Sequence, residues 1–202
     1  MCYCAYLYFH LHTEPTGNRT SVKDWNAKGA SNTHSLFSAK QLPPCIFLTA
    51  DHRRANYTGG NMTPFVRVFC ETPVNTFKVK IIRSLSEHLH VGMCLPFSPT
   101  PLRFNAHAWF LCRADSQLFE RGKYGPASVT RFGVGAVVSV EKDPDPSQCA
   151  LRFRLDGKEL VDINGEPFGW RPTGLSADEF NALVGVVEFQ SQSVGDEVLI
   201  VD

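Results

Sequence analysis

The chain has no excess of charge of either sign, because its 20 Lys and Arg residues balance its 20 Asp and Glu residues. A protein that binds nucleic acid or an anionic membrane usually presents a strong positive field. This composition supplies no such overall field. We therefore do not expect nucleic acid or a membrane surface as the partner.

The sequence also lacks a long hydrophobic run. Residues 1–12 are apolar and aromatic, but they are too few to cross a bilayer and have neither the basic start nor the cleavage site of a signal peptide. We therefore expect an intracellular protein, cytoplasmic or nuclear. Residues 13–38 are rich in Ser, Thr, Asn and Gly without a sustained period, which is typical of a loose leader.

No Cys-x-x-Cys pair occurs among the seven cysteines, which are odd in number and widely spaced. Zinc sites and disulfide frameworks usually show paired or densely spaced cysteines. The cysteines are therefore predicted to be reduced core residues, and no metal or other cofactor is expected. The nearest approach to a ligand cluster is Cys2 and Cys4 followed by His10 and His12, without the spacing of a zinc knuckle.

The sequence fingerprints of the common enzyme classes are missing too. There is no Gly-x-Ser-x-Gly elbow, no P-loop and no dinucleotide-binding glycine pattern. A glycosidase needs two carboxylates facing each other across a cleft. The available carboxylates form no recognised constellation: Glu120, Glu141, Asp143, Glu188 and Asp196. We expect no enzyme activity, and the alternatives left open are a carbohydrate-binding (lectin-like) sandwich and a glycan-processing enzyme.

What the sequence does contain is a series of short β-type runs separated by turn residues, which is typical of a sandwich or barrel. Residues 76–82 alternate most cleanly and place Phe77, Val79 and Ile81 on one face. The Asp-Gly pair at residues 156–157 predicts a two-residue hairpin turn. The other predicted runs are residues 45–49, 65–70, 88–94, 108–112, 135–141, 150–155, 158–160, 184–189 and 196–201.

These runs predict an all-β fold, a two-sheet antiparallel β-sandwich over residues 41–202, with residues 1–40 as a leader or an added edge strand. One short helical turn is expected at residues 176–183, where Ser176 and Glu179 have the spacing of a capping box. The aromatic core candidates are Phe77, Trp109, Phe110, Phe132 and Phe153.

Four local patterns, in this order along the chain, resemble those of the SPRY domain family, a group of concanavalin-like β-sandwiches. The patterns are FKVKI (residues 77–81) with LHVGM (89–93), WFLC (109–112) with GKYG (122–125), FGVGAVVSVEKD (132–143) and LRFRLDGKEL (151–160). The resemblance covers about 160 residues, from residue 41 to residue 202.

The chain departs from the family pattern at several points. Gly135-Ala136 stands where the family usually has Gly-Asp, and Val184-Gly185 stands where Tyr-Pro is common. Asp156-Gly157 replaces Asn-Gly, but either pair can form the same turn. The strand of Trp109 lacks its preceding glycine. The sequence therefore resembles a divergent member of the family.

The resemblance implies a non-catalytic module that binds a peptide or partner surface through loops at one edge of the sandwich, as an adaptor or subunit of a larger complex. Arg, Tyr and Phe are the residue types that tend to dominate such contacts. The positions that match the recognition loops are Arg53, Arg54, Asn56, Tyr57, Arg103, Phe104, Tyr124, Phe189 and Gln190. For the two neighbouring arginines a role as solvated surface charges is an equal alternative, and for Tyr124 the alternative is packing within a turn.

Overall fold

The computed structural model describes residues 35–40, 42–60, 65–85, 89–96, 105–113, 116–145, 147–190 and 194–202. Within these ranges the chain forms β-strands in two sheets, together with a single helical turn, α1 (Ala177–Asn181). In this same part of the chain, no helix has the length and apolar character needed to cross a membrane.

The larger sheet has eight strands, and each is antiparallel to its neighbours. Their order across the sheet is β1 (Ile46–Leu48), β2 (Arg54–Tyr57), β14 (Glu197–Ile200), β4 (Thr76–Arg83), β9 (Val137–Lys142), β10 (Ala150–Leu155) and β11 (Lys158–Glu159), with β12 (Arg171–Pro172) also pairing with β10.

The smaller sheet has six strands and is also antiparallel. Its order is β3 (Phe65–Phe69), β13 (Val184–Gln190), β5 (Leu89–Cys94), β6 (Ala108–Cys112), β7 (Gln117–Glu120) and β8 (Lys123–Ala127). The main hydrophobic core takes side chains from both sheets. The predicted two-sheet antiparallel β-sandwich is thus confirmed.

Burial follows the alternation of the sequence. In β4, Phe77, Val79 and Ile81 are fully buried, whereas Lys80 between them is exposed. All five aromatic core candidates are buried. Phe110 nevertheless differs from the other four, because it belongs to a separate apolar cluster formed by strands of the six-stranded sheet.

The predicted turn and helix cap are both present. Asp156 and Gly157 have φ values of 52° and 76°, the positive pair that a type I′ turn requires. The Ser176 hydroxyl accepts a hydrogen bond from the Glu179 backbone N–H, and the Ser176 N–H donates to the Glu179 carboxylate at 3.0 Å. This reciprocal capping box begins α1.

Four strands lie outside the runs that the sequence pattern predicts, namely β2, β7, β8 and the two-residue β12. The first two have four residues each, too few for an alternating pattern to stand out. β8 contains Gly125 and Pro126 and forms one edge of its sheet. An edge strand tolerates proline, because a residue whose N–H would face solvent needs no hydrogen bond to a neighbouring strand.

The cysteines in the described ranges are free, and four of them are buried: Cys45, Cys70, Cys94 and Cys112. The prediction that the cysteines are core residues is confirmed for those four. Phe37 is also fully buried, and it pairs with Cys70 beside the end of β3. The core therefore includes a residue that precedes the predicted domain start at residue 41, while the domain division itself stays a prediction.

Candidate functional site

The strands run between two ends of the sandwich. The first end holds the connections that follow β2, β4 and β13, and the second end holds those that follow β1, β3 and β7. On one side of the sandwich, β2 of the eight-stranded sheet lies over β13 of the six-stranded sheet. On the opposite side, β12 lies beside β7. The position of a loop residue is therefore described by the end of the sandwich at which it lies and by the side of the sandwich that it is on.

The structure distributes the predicted site residues over several parts of the surface and core. Arg53 and Arg54 lie at the second end beside β1, and Tyr124 lies at the same end but on the opposite side, in β8. Asn56 is in the middle of β2, and Gln190 ends β13 at the first end. Arg103 and Phe104 lie outside the described residues.

Tyr57 and Phe189 are core residues. Their rings stack with centroids 5.9 Å apart and an interplanar angle of 17°, and neither side chain is more than 1% exposed. Burial raises the pKa of the Tyr57 phenol. The two rings join β2 to β13 across the core, so a partner cannot reach them in this structure.

The loop between β1 and β2 is held by short-range hydrogen bonds. The Asp51 carboxylate accepts from the Thr49 hydroxyl at 2.5 Å and from the Arg53 N–H at 3.1 Å, and the Arg54 N–H donates to the Thr49 hydroxyl at 3.2 Å. The bond from Thr49 and then that from the Arg53 N–H lower the pKa of Asp51. His52 takes the left-handed φ of 54° at the tip.

Both arginines of this hairpin form surface ion pairs. Arg53 Nη2 lies 2.9 Å from Asp202 Oδ2, and Arg54 Nη1 lies 2.8 Å from Glu197 Oε1. A surface ion pair contributes no more than about 1 kcal/mol, so a partner carboxylate can replace the internal one at little cost. Each guanidinium also has five N–H donors, so donors remain for a partner after one ion pair is made.

Phe47 is a candidate site residue that the sequence analysis missed. Its side chain is 63% exposed, and it lies directly opposite Asn56 on the outer face of the eight-stranded sheet. Ile46, the preceding residue, is buried. The alternation within β1 was the signal, because it places Phe47 and Ile46 on opposite faces. We define the hairpin surface as Phe47, Arg53, Arg54 and Asn56.

The carboxylates considered for glycosidase chemistry do not face one another. Glu141 pairs with two arginines on the outer face of the eight-stranded sheet, whereas Glu188 is buried on the outer face of the other sheet. Asp196 is buried at the first end, where it accepts from Ser84. Glu120 binds Arg171 through both of its oxygens.

No group of three or more His, Cys, Asp and Glu side chains in the described ranges is placed to hold a metal ion. The cysteines and histidines of residues 1–12 lie outside those ranges. Asp143, the remaining carboxylate considered above, accepts a hydrogen bond from the Asp145 N–H within its own turn.

Comparison with known proteins finds similarity in structure alone. No protein-family model matches the sequence, and no curated protein does. The SPRY domain of human HERC1 is similar, with a TM-score of 0.63 and 18% identity over 82% of this chain and 97% of that one. A human SPRY domain gives 0.59 and 18%, over 77% and 94%. The TRIM65 PSpry domain gives 0.58 and 12%, over 84% and 93%. The described chain therefore has the fold of a SPRY domain, as its sequence motifs predicted.

Proposed function

We propose that this chain is a non-catalytic module that binds another protein or a peptide, and that it acts as an adaptor or as a subunit of a larger complex. The observation that carries the proposal is the hairpin surface, where the exposed Phe47 lies beside Arg54 on the outer face of a short hairpin. The SPRY-like fold supports it, because SPRY domains generally bind proteins. Free buried thiols support an intracellular compartment.

An exposed phenylalanine is the energetic centre of the proposed contact. Burying its side chain in a partner pocket would contribute about 1.5–3 kcal/mol, the transfer free energy of such a side chain. Phe47 presents 63% of its surface to solvent, so most of this contribution is available. Arg54 and Asn56 beside it would supply directional hydrogen bonds.

The hairpin is also ordered before it binds. The hydrogen bonds among Thr49, Asp51, Arg53 and Arg54 hold the loop in one conformation. A binding loop that is already ordered loses less conformational entropy on association. This makes the hairpin surface a better contact site than a loop without such bonds. The predicted partner-binding roles of Tyr124 and Gln190 stay predictions and are not part of this surface.

A capture experiment with three baits tests the proposal. The full chain, the variant Arg53→Glu/Arg54→Glu and the control variant Lys123→Glu/Lys158→Glu are immobilised, and the bound proteins are identified by mass spectrometry. The control also reverses two positive charges, those of two exposed lysines on the opposite side of the sandwich. We expect a protein retained by the full chain and by the control but lost from the arginine variant.

The alternative functions give different results in the same series. A protein retained equally by all three baits would place its contact away from the hairpin surface. Retention of glycans on an array, with no protein captured by any bait, would favour the carbohydrate-binding alternative. Hydrolysis of a glycoside panel by the purified chain would contradict the non-catalytic proposal.

A further inference from the structure

The two described sheets have four edges, and three of these are protected against pairing with a further strand. In β8, Pro126 has no N–H to offer, and the Gly125 C=O accepts a hydrogen bond from the Gln117 side chain. β11 and β12 have only two residues each. Residues 36–38 are joined by backbone hydrogen bonds to the end of β3 and to the residues that follow it. Proline, short strands and covering segments are devices by which native sheets avoid pairing with other molecules.

β1 (Ile46–Leu48) forms the fourth edge and is built differently. Its three residues are all apolar, so the strand contains neither proline nor charge. It pairs with β2 over its whole length without a change of register. A regular, uncharged edge strand is a ready template for one more strand.

The backbone groups of β1 alternate between β2 and the free edge. The Cys45 C=O and the Thr49 N–H both form hydrogen bonds on the β2 side, at 2.8 and 3.1 Å. Directions alternate along an antiparallel pair, so Phe47 also faces β2 with its backbone groups. The backbone groups of Ile46 and Leu48 therefore point to the free edge.

Three backbone groups at this edge have no hydrogen-bond partner among the described residues. They are the Ile46 C=O, the Leu48 N–H and the Leu48 C=O. The Ile46 N–H, in contrast, donates to the Pro43 C=O at 2.9 Å. The edge thus offers one donor and two acceptors. An extended peptide can bond to all three with two of its own N–H groups and one C=O, as in β-strand addition.

A second copy of the chain would fit this edge less well. If two β1 strands paired about a two-fold axis at Phe47, each Leu48 N–H would donate to the Ile46 C=O of the other copy. Both Leu48 C=O groups would then lack a donor, because the Ile46 N–H is already bonded to Pro43. An added peptide leaves none of the three groups unpaired, so the hydrogen-bonding pattern favours a peptide over self-pairing.

We infer that an extended segment of the partner protein pairs with the free edge of β1 as an additional antiparallel strand. This inference rests on the proposed function, because the added strand would lie directly beside Phe47 of the hairpin surface. Antiparallel addition agrees with the rest of the sheet, and parallel pairs are slightly less stable per residue.

The side chains of β1 indicate what the added segment should contain. The residue facing Phe47 would form a pair without mutual hydrogen bonds, in which side chains come closest together. Aromatic and β-branched residues form the favourable pairs with an aromatic ring. The next residue would lie beside Leu48, which is half-buried at the margin of the core and therefore favours an apolar neighbour. The segment should thus have two consecutive apolar residues.

Amide hydrogen exchange of the full chain, measured residue by residue by NMR, tests the edge itself. In the free chain, the Leu48 N–H should be at least about tenfold less protected than the N–H groups of Phe47 and Thr49, which are bonded on the β2 side. A well-protected Leu48 N–H in the free chain would overturn the inference, because the edge would already be occupied. Protection that grows with protein concentration would assign the edge to a second copy and would overturn it too.

A phage-displayed library of random peptides, selected on the immobilised full chain, tests the occupant. We expect recovered peptides with two neighbouring apolar residues, and a bound peptide should slow exchange of the Leu48 N–H at least about tenfold. N-methylation along the peptide should weaken binding at two residues that flank a tolerant one, because only alternate N–H groups reach β1. Recovery of no peptide, or N-methylation effects without alternation, would overturn the inference.

Leu48→Pro and the matched control Leu48→Ala test the free donor. Both variants lose the leucine side chain, but only proline lacks the N–H, and edge strands tolerate proline. We expect Leu48→Pro to raise the Kd of a recovered peptide at least about tenfold relative to Leu48→Ala. Equal Kd values would overturn the inference. If the Tm of Leu48→Pro shows that it is unfolded, the N-methylation pattern decides, because it leaves the protein unchanged.

The inference and the proposed function fail in different ways. An unprotected Leu48 N–H in the presence of the captured protein would reject strand addition. The proposed function would still stand if Arg53→Glu/Arg54→Glu lost that protein. Peptides bound at the β1 edge, together with protein capture that does not depend on the arginines, would reject the hairpin contact and keep strand addition.

Discussion

Gly185 in β13 allows the two sheets to approach each other at Phe77. A Cβ atom at this position would overlap the Phe77 ring, which belongs to β4 of the facing sheet and is fully buried. The ring has little room to move, because Phe37 packs edge-on against it with centroids 6.5 Å apart. We therefore expect Gly185→Ala to destabilise the sandwich.

The expected size follows from two opposing effects. Overpacking a buried site costs about 1–3 kcal/mol. Replacing glycine by alanine also restricts the unfolded chain, which stabilises the folded state by roughly 0.4–1 kcal/mol. The net loss in the free energy of unfolding should thus be about 1–2 kcal/mol, or several degrees in Tm for a chain of this length.

Urea unfolding with Gly133→Ala as the matched control measures this loss. Gly133 has no positive φ, and an added Cβ there would meet nothing within 4 Å, so alanine at this position should be neutral or slightly stabilising. In a Phe77→Ala background, Gly185→Ala should no longer destabilise, because the overlapping ring is gone. A Gly185→Ala protein as stable as the Gly133→Ala protein would refute the packing described here.

Three further predictions concern other elements. Burial lowers the pKa of Lys142 from its ordinary 10.5 to about 8. Between these two pH values the unfolded state binds more protons than the folded state. The free energy of unfolding, relative to that of Lys142→Met, should therefore rise with pH across this window by at most about 3 kcal/mol. A flat difference between the two proteins in urea unfolding would contradict this. Ser176→Ala removes the capping box and should cost about 1 kcal/mol, seen as a lower Tm, whereas Ser176→Asp should keep most of it. Gly157→Ala should cost about 1–2 kcal/mol because φ is 76° there, and Gly157→Asn should cost less; equal losses would show that the turn conformation is not the cause.

The sequence predicts those parts of the fold whose signals are local. The clean alternation of β4, the Asp-Gly turn and the capping box each depend on residues close together in the chain. β7 and β8 could not be predicted in this way, because one is short and the other contains glycine and proline as an edge strand. Their position in the sheet depends on pairing with a neighbour, because β7 pairs with β6 and β8 pairs with β7.

The site was harder to predict, because alternation assigns residues to two faces without showing which face is covered. β5 and β6 are buried on both faces, so the outward side chain of Phe110 resembles a core residue in the sequence. Tyr57 and Phe189 match the recognition loops by position, but their side chains point into the core. Phe47 faces solvent because it lies on the outer face of β1, whereas Ile46, the preceding residue, faces the core.

A titration of the captured partner against two single variants tests the central claim most directly. Phe47 and Tyr124 are equally exposed aromatic residues, at 63% and 64%, on opposite sides of the sandwich. Binding through the hairpin surface predicts that Phe47→Ser raises the Kd at least about 30-fold, the size of a hot-spot contact of 2 kcal/mol or more, while Tyr124→Ser leaves it nearly unchanged. An unchanged Kd for Phe47→Ser, or a larger loss for Tyr124→Ser, would contradict the account.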